Sequence, residues 1–479
     1  MTPTRRMLLC TGFGVTAASA FRTNSVTTPA QADSSDRPPV DGEFSCEANV
    51  RAAAANDFGY IVYKQPWAVL KPASSADIST LMRWASKKEL KVVARGRGHS
   101  TYGRALTDGG IVIDMSTISS IRQILPDRIV VDAGATWKSV LEATLAQGLT
   151  PPVLTNYLGL SVGGTIAVGG IGGTSSRYGM QTDHVLSLDI VTGGGEELTC
   201  SATSHPDLFD AARAGLAQCG IITRATVRLL RAPERVRRFQ LFYPDLPSLT
   251  ADQRQALAED RFDQLQGALL PHGAGGWRYQ LEGAVFYDRD SRFDDKALLA
   301  SLSDDRSAAV VTDLTYRDDA YAFAKLAKML KSTGQWSNPQ PWLFTFLRGS
   351  NAEQVASEVL GGLSGEKLGP FGRITYYPMR TGAFRTPLVR LPDEDVVFPF
   401  NIIRIPASND ATQTEQAVAQ NRVLYDRIRT AGGVQYPVGA FRMSRGDWKD
   451  HFGPRWPLLR EAKLRYDPNN LLTPGYGVF

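Results

Sequence analysis

Apolar residues recur at three- and four-residue spacing between 75 and 88, at Ile78, Leu81, Met82 and Ala85. Behind a serine able to cap the first turn, that spacing predicts an amphipathic helix. Short runs rich in β-branched and aromatic residues predict strands at 60–63, 91–94, 110–115 and 128–133. A helical pattern covers 136–147 and a hairpin is expected from 185–191 and 197–200, turning at Gly193-Gly194-Gly195. A helix over 206–217 then leads into a strand over 220–227. Strands and helices mix without regular β-α alternation, which makes the fold class α+β rather than doubly wound.

Around Pro233 the texture changes. Longer helical patterns at 252–266, 321–331 and 411–429 are separated by strands such as 279–287 and 373–377. The expected organisation is an export signal over 1–32, a Ser/Asp/Pro-rich linker over 33–41, and a first domain over 42–235. A second α+β domain is inserted over 236–425, and the first domain is completed by 426–479. A chain of 479 residues is long enough for two or three such units.

Composition narrows the class. Apolar residues are 43% and charged residues 21%, as in an ordinary globular chain, and no run of 18 apolar residues follows the N-terminus. Glycine is locally skewed: 11 of the 44 fall between Gly159 and Gly195, a crowding that suits backbone passing close to a phosphate-bearing ligand. The N-terminus pairs Arg5-Arg6 with a weakly apolar stretch and small residues at Ala18-Ser19-Ala20 and Ala30-Gln31-Ala32. That is the pattern of a twin-arginine export signal, cut after Ala20 or Ala32, and it implies a secreted protein. Cys10 follows Leu9 rather than a small residue, which argues against a lipid anchor.

Residues 1–32 carry three arginines and no acid, so the mature chain has a net charge near +2. The run Arg224, Arg228, Arg231, Arg235, Arg237 and Arg238 reads as a solvated face, and nucleic-acid binding is not expected. Cys46, Cys200 and Cys219 would remain after cleavage, enough for one bridge at most. The five histidines, His99, His184, His205, His272 and His451, have no metal-ligand spacing, so no metal is expected. The pattern carries no signal of oligomeric state.

Gly96-Arg97-Gly98-His99-Ser100 forms a tight turn directly after a buried strand, where backbone N–H groups can approach a pyrophosphate. A nicotinamide site would continue into a helix with an acid about 20 residues on, whereas a strand follows here. Gly159-Leu160-Ser161-Val162-Gly163 is literally the G-x-S-x-G of serine hydrolases. The glycines after it make a poor helix, and the strand-turn-helix context of a nucleophile elbow is not expected.

The segments Ala94–Ser100 and Thr107–Met115 resemble the flavin-binding region of cytokinin dehydrogenases, FAD enzymes with a split FAD domain. The likeness continues through Leu158–Thr165, Arg177–Gln181, Asp207-Leu208-Phe209 and Gly220–Ala225. Pro341-Trp342-Leu343, Leu391–Val396, Asp447-Trp448, His451-Phe452-Gly453, Arg465–Pro468 and Thr473-Pro474-Gly475 extend it to the end. By this resemblance His99 carries FAD covalently through the flavin 8α-methyl, and Gly96, Arg97, Gly98 and Ser100 cradle the pyrophosphate. Ser161, Gly163, Gly164, Ile171 and Ile222 would line the adenine and ribityl parts, Tyr436 would close over the flavin, and Glu282 would stand at the substrate mouth. Residues 151–164 hold no cysteine, so the flavin would be attached once.

Four positions depart from the family pattern: Asn156 for the catalytic aspartate, Arg104 and Tyr476 for glutamines, and Ala167 for a serine. An amide hydrogen-bonds but has no useful basicity. The implied reaction is hydride transfer from a carbon next to an amine nitrogen to flavin N5. The imine would hydrolyse to aldehyde and amine, with oxygen or a quinone as electron acceptor. A different amine or an alcohol is the alternative substrate, and a flavin-binding protein without turnover the non-enzymatic one.

Overall fold

The helix expected at 75–88 forms over Ser75–Lys87 and buries Ile78, Leu81, Met82 and Ala85, the residues its spacing puts on one face. Asp77 in its first turn accepts N–H bonds from Asp41, Gly42 and Ala73 at 2.8–2.9 Å, which ties down the incoming chain. The computed structural model describes residues 37–273, 275–289 and 293–479. The expected export signal and the start of the linker lie outside the described residues. Pro38–Phe479 form one compact unit.

The first four strands among the described residues are β1 (Glu43–Ser45), β2 (Ala68–Lys71), β3 (Val92–Arg95) and β4 (Ile111–Asp114), ordered β1-β2-β4-β3. β2, β4 and β3 run parallel. β5 (Ile121–Leu125), β6 (Arg128–Asp132), β8 (Val185–Val191), β9 (Glu197–Ser201) and β10 (Ile221–Arg228) make a second, antiparallel sheet, ordered β5-β6-β10-β8-β9. β7 (Leu149–Thr150) pairs with β11 (Leu230–Arg231) beside it.

The remaining strands form one nine-stranded sheet: β12 (Arg235–Tyr243), β13 (Gln264–His272), β14 (Gly276–Tyr287), β15 (Val310–Thr315), β16 (Leu343–Arg348), β17 (Arg373–Tyr376), β18 (Met379–Arg380), β19 (Val396–Ile403) and β20 (Val434–Gln435). Its order is β15-β12-β14-β13-β17-β19-β16-β20, with β18 on β19. The nine-stranded sheet begins at β12, where the inserted domain is expected to start. The end expected at 425 falls inside the helix Ala411–Thr430, and the chain leaves this sheet only after Gln435. Beyond it the C-terminal segment returns to the first sheets: Val92 N–H donates to Leu471 O and Thr473 N–H to Val92 O, both at 2.9 Å. The buried Lys463 ammonium reaches Gln218 O at 3.1 Å and Asp467 at 2.6 Å. An ion pair this dry survives because both charges have further hydrogen bonds, Asp467 taking the N–H groups of Leu471 and Leu472.

Three local expectations are corrected. Residues 60–63 form no strand: Tyr60 takes φ 49°, and only Tyr63 makes a bridge, to Asn56. The helix expected over 252–266 runs over Leu246–Ala258, because the Asp245 carboxylate caps it through Ser248 N–H at 2.8 Å, and 264–272 is β13. The helix expected over 206–217 stops at Ala212, where Ala214, Leu216 and Ala217 adopt positive φ. The N–H groups of Ala214 and Leu216 turn to Ile166 O and Ala167 O, a tertiary demand that outweighs their helix propensity.

Cys46, Cys200 and Cys219 are unbridged, and burial pushes the Cys200 and Cys219 thiols up to about 12. Buried His451 has an unpartnered Nδ1, and burial followed by the Arg390 charge lowers its pKa to about 3. An unfolded chain therefore binds a proton at this site that the folded one refuses. Stability from His451 is complete above about 6.5 and is lost as pH falls toward 3. His451→Gln is expected to lose less stability than the wild type between pH 7 and pH 5, read from denaturant midpoints at both values.

Candidate active site

The strand β3 ends at Arg95, and the chain then turns through Gly96–Ser100. Arg95 holds this turn from beneath, donating to Asn56 O at 2.6 Å and Ala54 O at 3.2 Å. Gly98 takes φ +61°, and a Cβ there would lie 2.6 Å from the Arg95 guanidinium; one at Gly96 would lie 1.9 Å from Ser161 Oγ. Both glycines are thus demanded by close approach, and Gly98 by its conformation as well.

Asp57 clasps the turn from the other side. Its carboxylate accepts from Ser100 Oγ and Gly103 N at 2.6 Å and from Gly59 N at 3.2 Å. Phe58 N–H and Gly59 N–H donate to Gly98 O and Ser100 O at 2.8 and 3.0 Å. Burial raises the Asp57 pKa to about 6 against the pull of these hydrogen bonds. The N–H groups of Arg97, Gly98 and His99 have no acceptor among the described residues, as a pyrophosphate cradle requires.

His99 stacks on Phe58 with ring centroids 3.8 Å apart, and Tyr157, Trp336 and Trp342 complete the surround at 5.0–6.2 Å. Burial, and secondarily the charge of Lys331, lowers its pKa to about 3. The imidazole is neutral at physiological pH, the form with a nucleophilic nitrogen.

A cavity of about 350 Å³ opens over this turn. Of the residues singled out in the sequence, Gly96, Arg97, Gly98, His99, Ser100 and Arg104 line it on one side. Asn156, Ser161, Gly164, Ala167 and Ile171 line it on another, and Tyr436 and Tyr476 close it from the C-terminal segment. Tyr436 OH accepts the Gly170 N–H at 2.9 Å, and burial raises its pKa. Two expected lining residues are elsewhere. Gly163 packs on Ala133, where a Cβ would come within 2.8 Å, and Ile222 is buried in β10. Their effect on a ligand passes through the backbone they support.

Glu282, on β14, lines a second cavity of about 140 Å³ that shares His99, Asn156, Phe323, Trp342 and Tyr377 with the first. Its carboxylate accepts from Gln280 Nε2 at 3.1 Å and lies 3.7 Å from Arg373 Nη1. Asn156 is exposed and faces both cavities. Ser161 precedes a five-residue helix, Val162–Ile166, but follows a loop rather than a strand and is buried, so the hydrolase elbow is not formed.

Several site residues carried no signal in the sequence. Asp57 and Phe58 lie about 40 residues before the turn they hold, just ahead of the segment that reads as a strand. Leu216 and Ala217 enter the cavity because their helix ends early, and Asn401 Nδ2 donates to Thr375 Oγ1 at 2.8 Å along its wall. The donor set fits FAD: free N–H groups for phosphate, a neutral imidazole for the 8α-methyl, and an apolar, aromatic-walled cavity for the ring.

Residues 66–201 match the FAD binding domain profile, and residues 265–479 match the profile described as cytokinin dehydrogenase 1, FAD and cytokinin binding. An uncharacterised oxidoreductase of the fasciation locus of Rhodococcoides fascians is 39% identical over 424 residues, covering 88% of this chain and 96% of that protein. Cytokinin dehydrogenase 10 of Oryza sativa is 34% identical, covering 89% of this chain and 86% of the relative. The crystal structure of 6-hydroxy-D-nicotine oxidase from Arthrobacter nicotinovorans superposes with a TM-score of 0.72 over 92% of this chain and 99% of that one; at 19% identity it speaks for the fold. With the cavity, its donors and these relatives in agreement, the chain belongs to the FAD-dependent oxidoreductases of the cytokinin dehydrogenase family.

Proposed function

We propose that this protein is an exported amine oxidoreductase, acting on a cytokinin or a related secondary amine, with FAD attached covalently at His99. The observation that carries this reading is the pair of adjoining cavities that share His99 and Asn156, with Glu282 on the wall of the smaller one. The matched cytokinin-binding profile spans Glu282, Phe323 and Trp342 and supports the same assignment.

Bound FAD supplies the hydride acceptor. The protein does the rest. Phe323, Trp336 and Trp342 give a flat ring aromatic faces to pack on and keep water out. Asn156 can hold the substrate by hydrogen bonds but cannot take its N–H proton, so Glu282 is the carboxylate that receives it, directly or through water. The oxidised substrate is an imine, and water added across its C=N bond releases an aldehyde and an amine. Oxygen or a quinone then takes the two electrons.

Anaerobic mixing with a cytokinin bearing an allylic secondary amine should bleach the yellow flavin. A protein bleached by other amines or alcohols but not by any cytokinin would favour the second reading, a different substrate, to which the neutral Asn156 points. Export is tested separately: Arg5→Lys with Arg6→Lys should leave a folded, yellow protein inside the cell. Normal secretion of that double variant would remove the twin-arginine address.

A further inference from the structure

Arg104 sits five residues beyond His99, at the end of the same loop, and is 6% exposed. Its Nη2 donates to Phe441 O at 3.1 Å and its Nη1 reaches Tyr476 O at 3.4 Å, while Nε is buried without a partner. The guanidinium lies 5.1–5.6 Å from the rings of Tyr102, Tyr476 and Trp448. No carboxylate pairs with it among the described residues; the nearby acid, Asp57, spends its oxygens on Ser100, Gly59 and Gly103. Among the described residues, buried Arg404 also lacks a carboxylate partner and has an unpartnered Nε, but it is bonded to Pro341 O, Asn421 and Gln420 at 2.7–3.0 Å and lies away from the His99 cavity.

A cation stripped of water and given only two carbonyls and ring faces is costly unless a counter-charge arrives. Arg104 lines the cavity that the FAD assignment fills, so the missing charge is expected from that direction. We propose that Arg104 is the counter-charge for an anionic group of the bound FAD, an inference that rests on the cofactor reading above. Two parts of FAD offer the same chemistry. The pyrophosphate is permanently anionic. The isoalloxazine becomes anionic when a hydride, two electrons with one proton, reaches N5 while the substrate loses its N–H proton elsewhere: the ring then holds one negative charge across N1 and the C2 carbonyl. A fixed cation favours that form without a second proton.

The test uses the full chain in a His99→Ala background, so that FAD can be removed and added back, and compares Arg104, R104Q and R104K. If the partner is the reduced ring, R104Q favours the oxidised flavin by roughly ten- to a hundredfold. Each tenfold is about 30 mV off the midpoint potential of this two-electron couple, with affinity for oxidised FAD unchanged. If the partner is the pyrophosphate, affinity falls by a similar factor and the potential stays. R104K, which keeps the charge, should restore most of either loss. A folded R104Q with both quantities unchanged overturns the proposal, as does R104K matching R104Q in its defect. Should R104Q not fold, the same chain with Arg104 intact decides. A potential falling by about 30 mV per pH unit marks one proton per two electrons and supports the ring, and FAD bound far more tightly than riboflavin supports the pyrophosphate. Twice that slope, with riboflavin bound as tightly as FAD, overturns both. A chain that takes up no FAD under any condition is a different failure, that of the cofactor reading itself.

Discussion

Asn156→Asp should speed flavin reduction by a cytokinin by up to roughly 10²–10⁴-fold, the range of a well-placed general base. The side chain stands where both cavities meet, is exposed to their contents, and differs from aspartate by one group. The amide offers a hydrogen bond to an amine nitrogen in either protonation state, but only a carboxylate can take up the proton as the neighbouring C–H bond gives its hydride. On the proposed function, Glu282 covers that need from the far wall of the smaller cavity. Glu282→Gln should therefore lower turnover of the native substrate, and should matter less once Asn156→Asp supplies a base. Rapid-mixing measurements of flavin bleaching on one cytokinin, with wild type and both variants, decide the matter. A rate that is unchanged or slower in Asn156→Asp means that Asn156 is shaped to a substrate outside the cytokinins.

The second large effect is on the flavin bond. Acid-precipitated wild type should stay yellow, and His99→Ala should release all of its colour to the supernatant. The reason lies in the environment as much as in the residue. Stacking on Phe58 and burial hold the imidazole neutral at physiological pH, so its nitrogen lone pair is available. The variant keeps the turn, because Asp57, Arg95 and the Gly98 and Ser100 carbonyls hold it without the imidazole. It should still bind FAD reversibly and be stabilised by added FAD in proportion to the ligand concentration over its dissociation constant. Yellow colour lost from acid-treated wild type would show that the bond does not exist.

The amino-acid order determined by itself whatever depends on neighbours in the chain. The apolar spacing at Ile78, Leu81, Met82 and Ala85, the hairpin of β8 and β9, and the Gly96–Ser100 turn are local patterns, and each was legible before any contact was known. Collinear motifs likewise named the family and gathered His99, Arg104, Tyr436 and Tyr476 at one expected flavin site, and these four line one cavity. What only the tertiary structure decided are the relations between distant residues. Asp57 accepts hydrogen bonds from Ser100 and Gly103, more than 40 residues away, and nothing around Asp57 announces it. Leu216 and Ala217 reach the cavity because the N–H groups of Ala214 and Leu216 satisfy Ile166 O and Ala167 O instead of continuing a helix. Glu282 meets His99 and Asn156 across a cavity walled in part by the nine-stranded sheet, while Gly163 and Ile222, expected to line the flavin site, line neither cavity. Desolvation, too, is a property of the packed state: the same imidazole that titrates near 6.5 in water stays neutral down to about 3 once Phe58 and its neighbours have displaced the water around it.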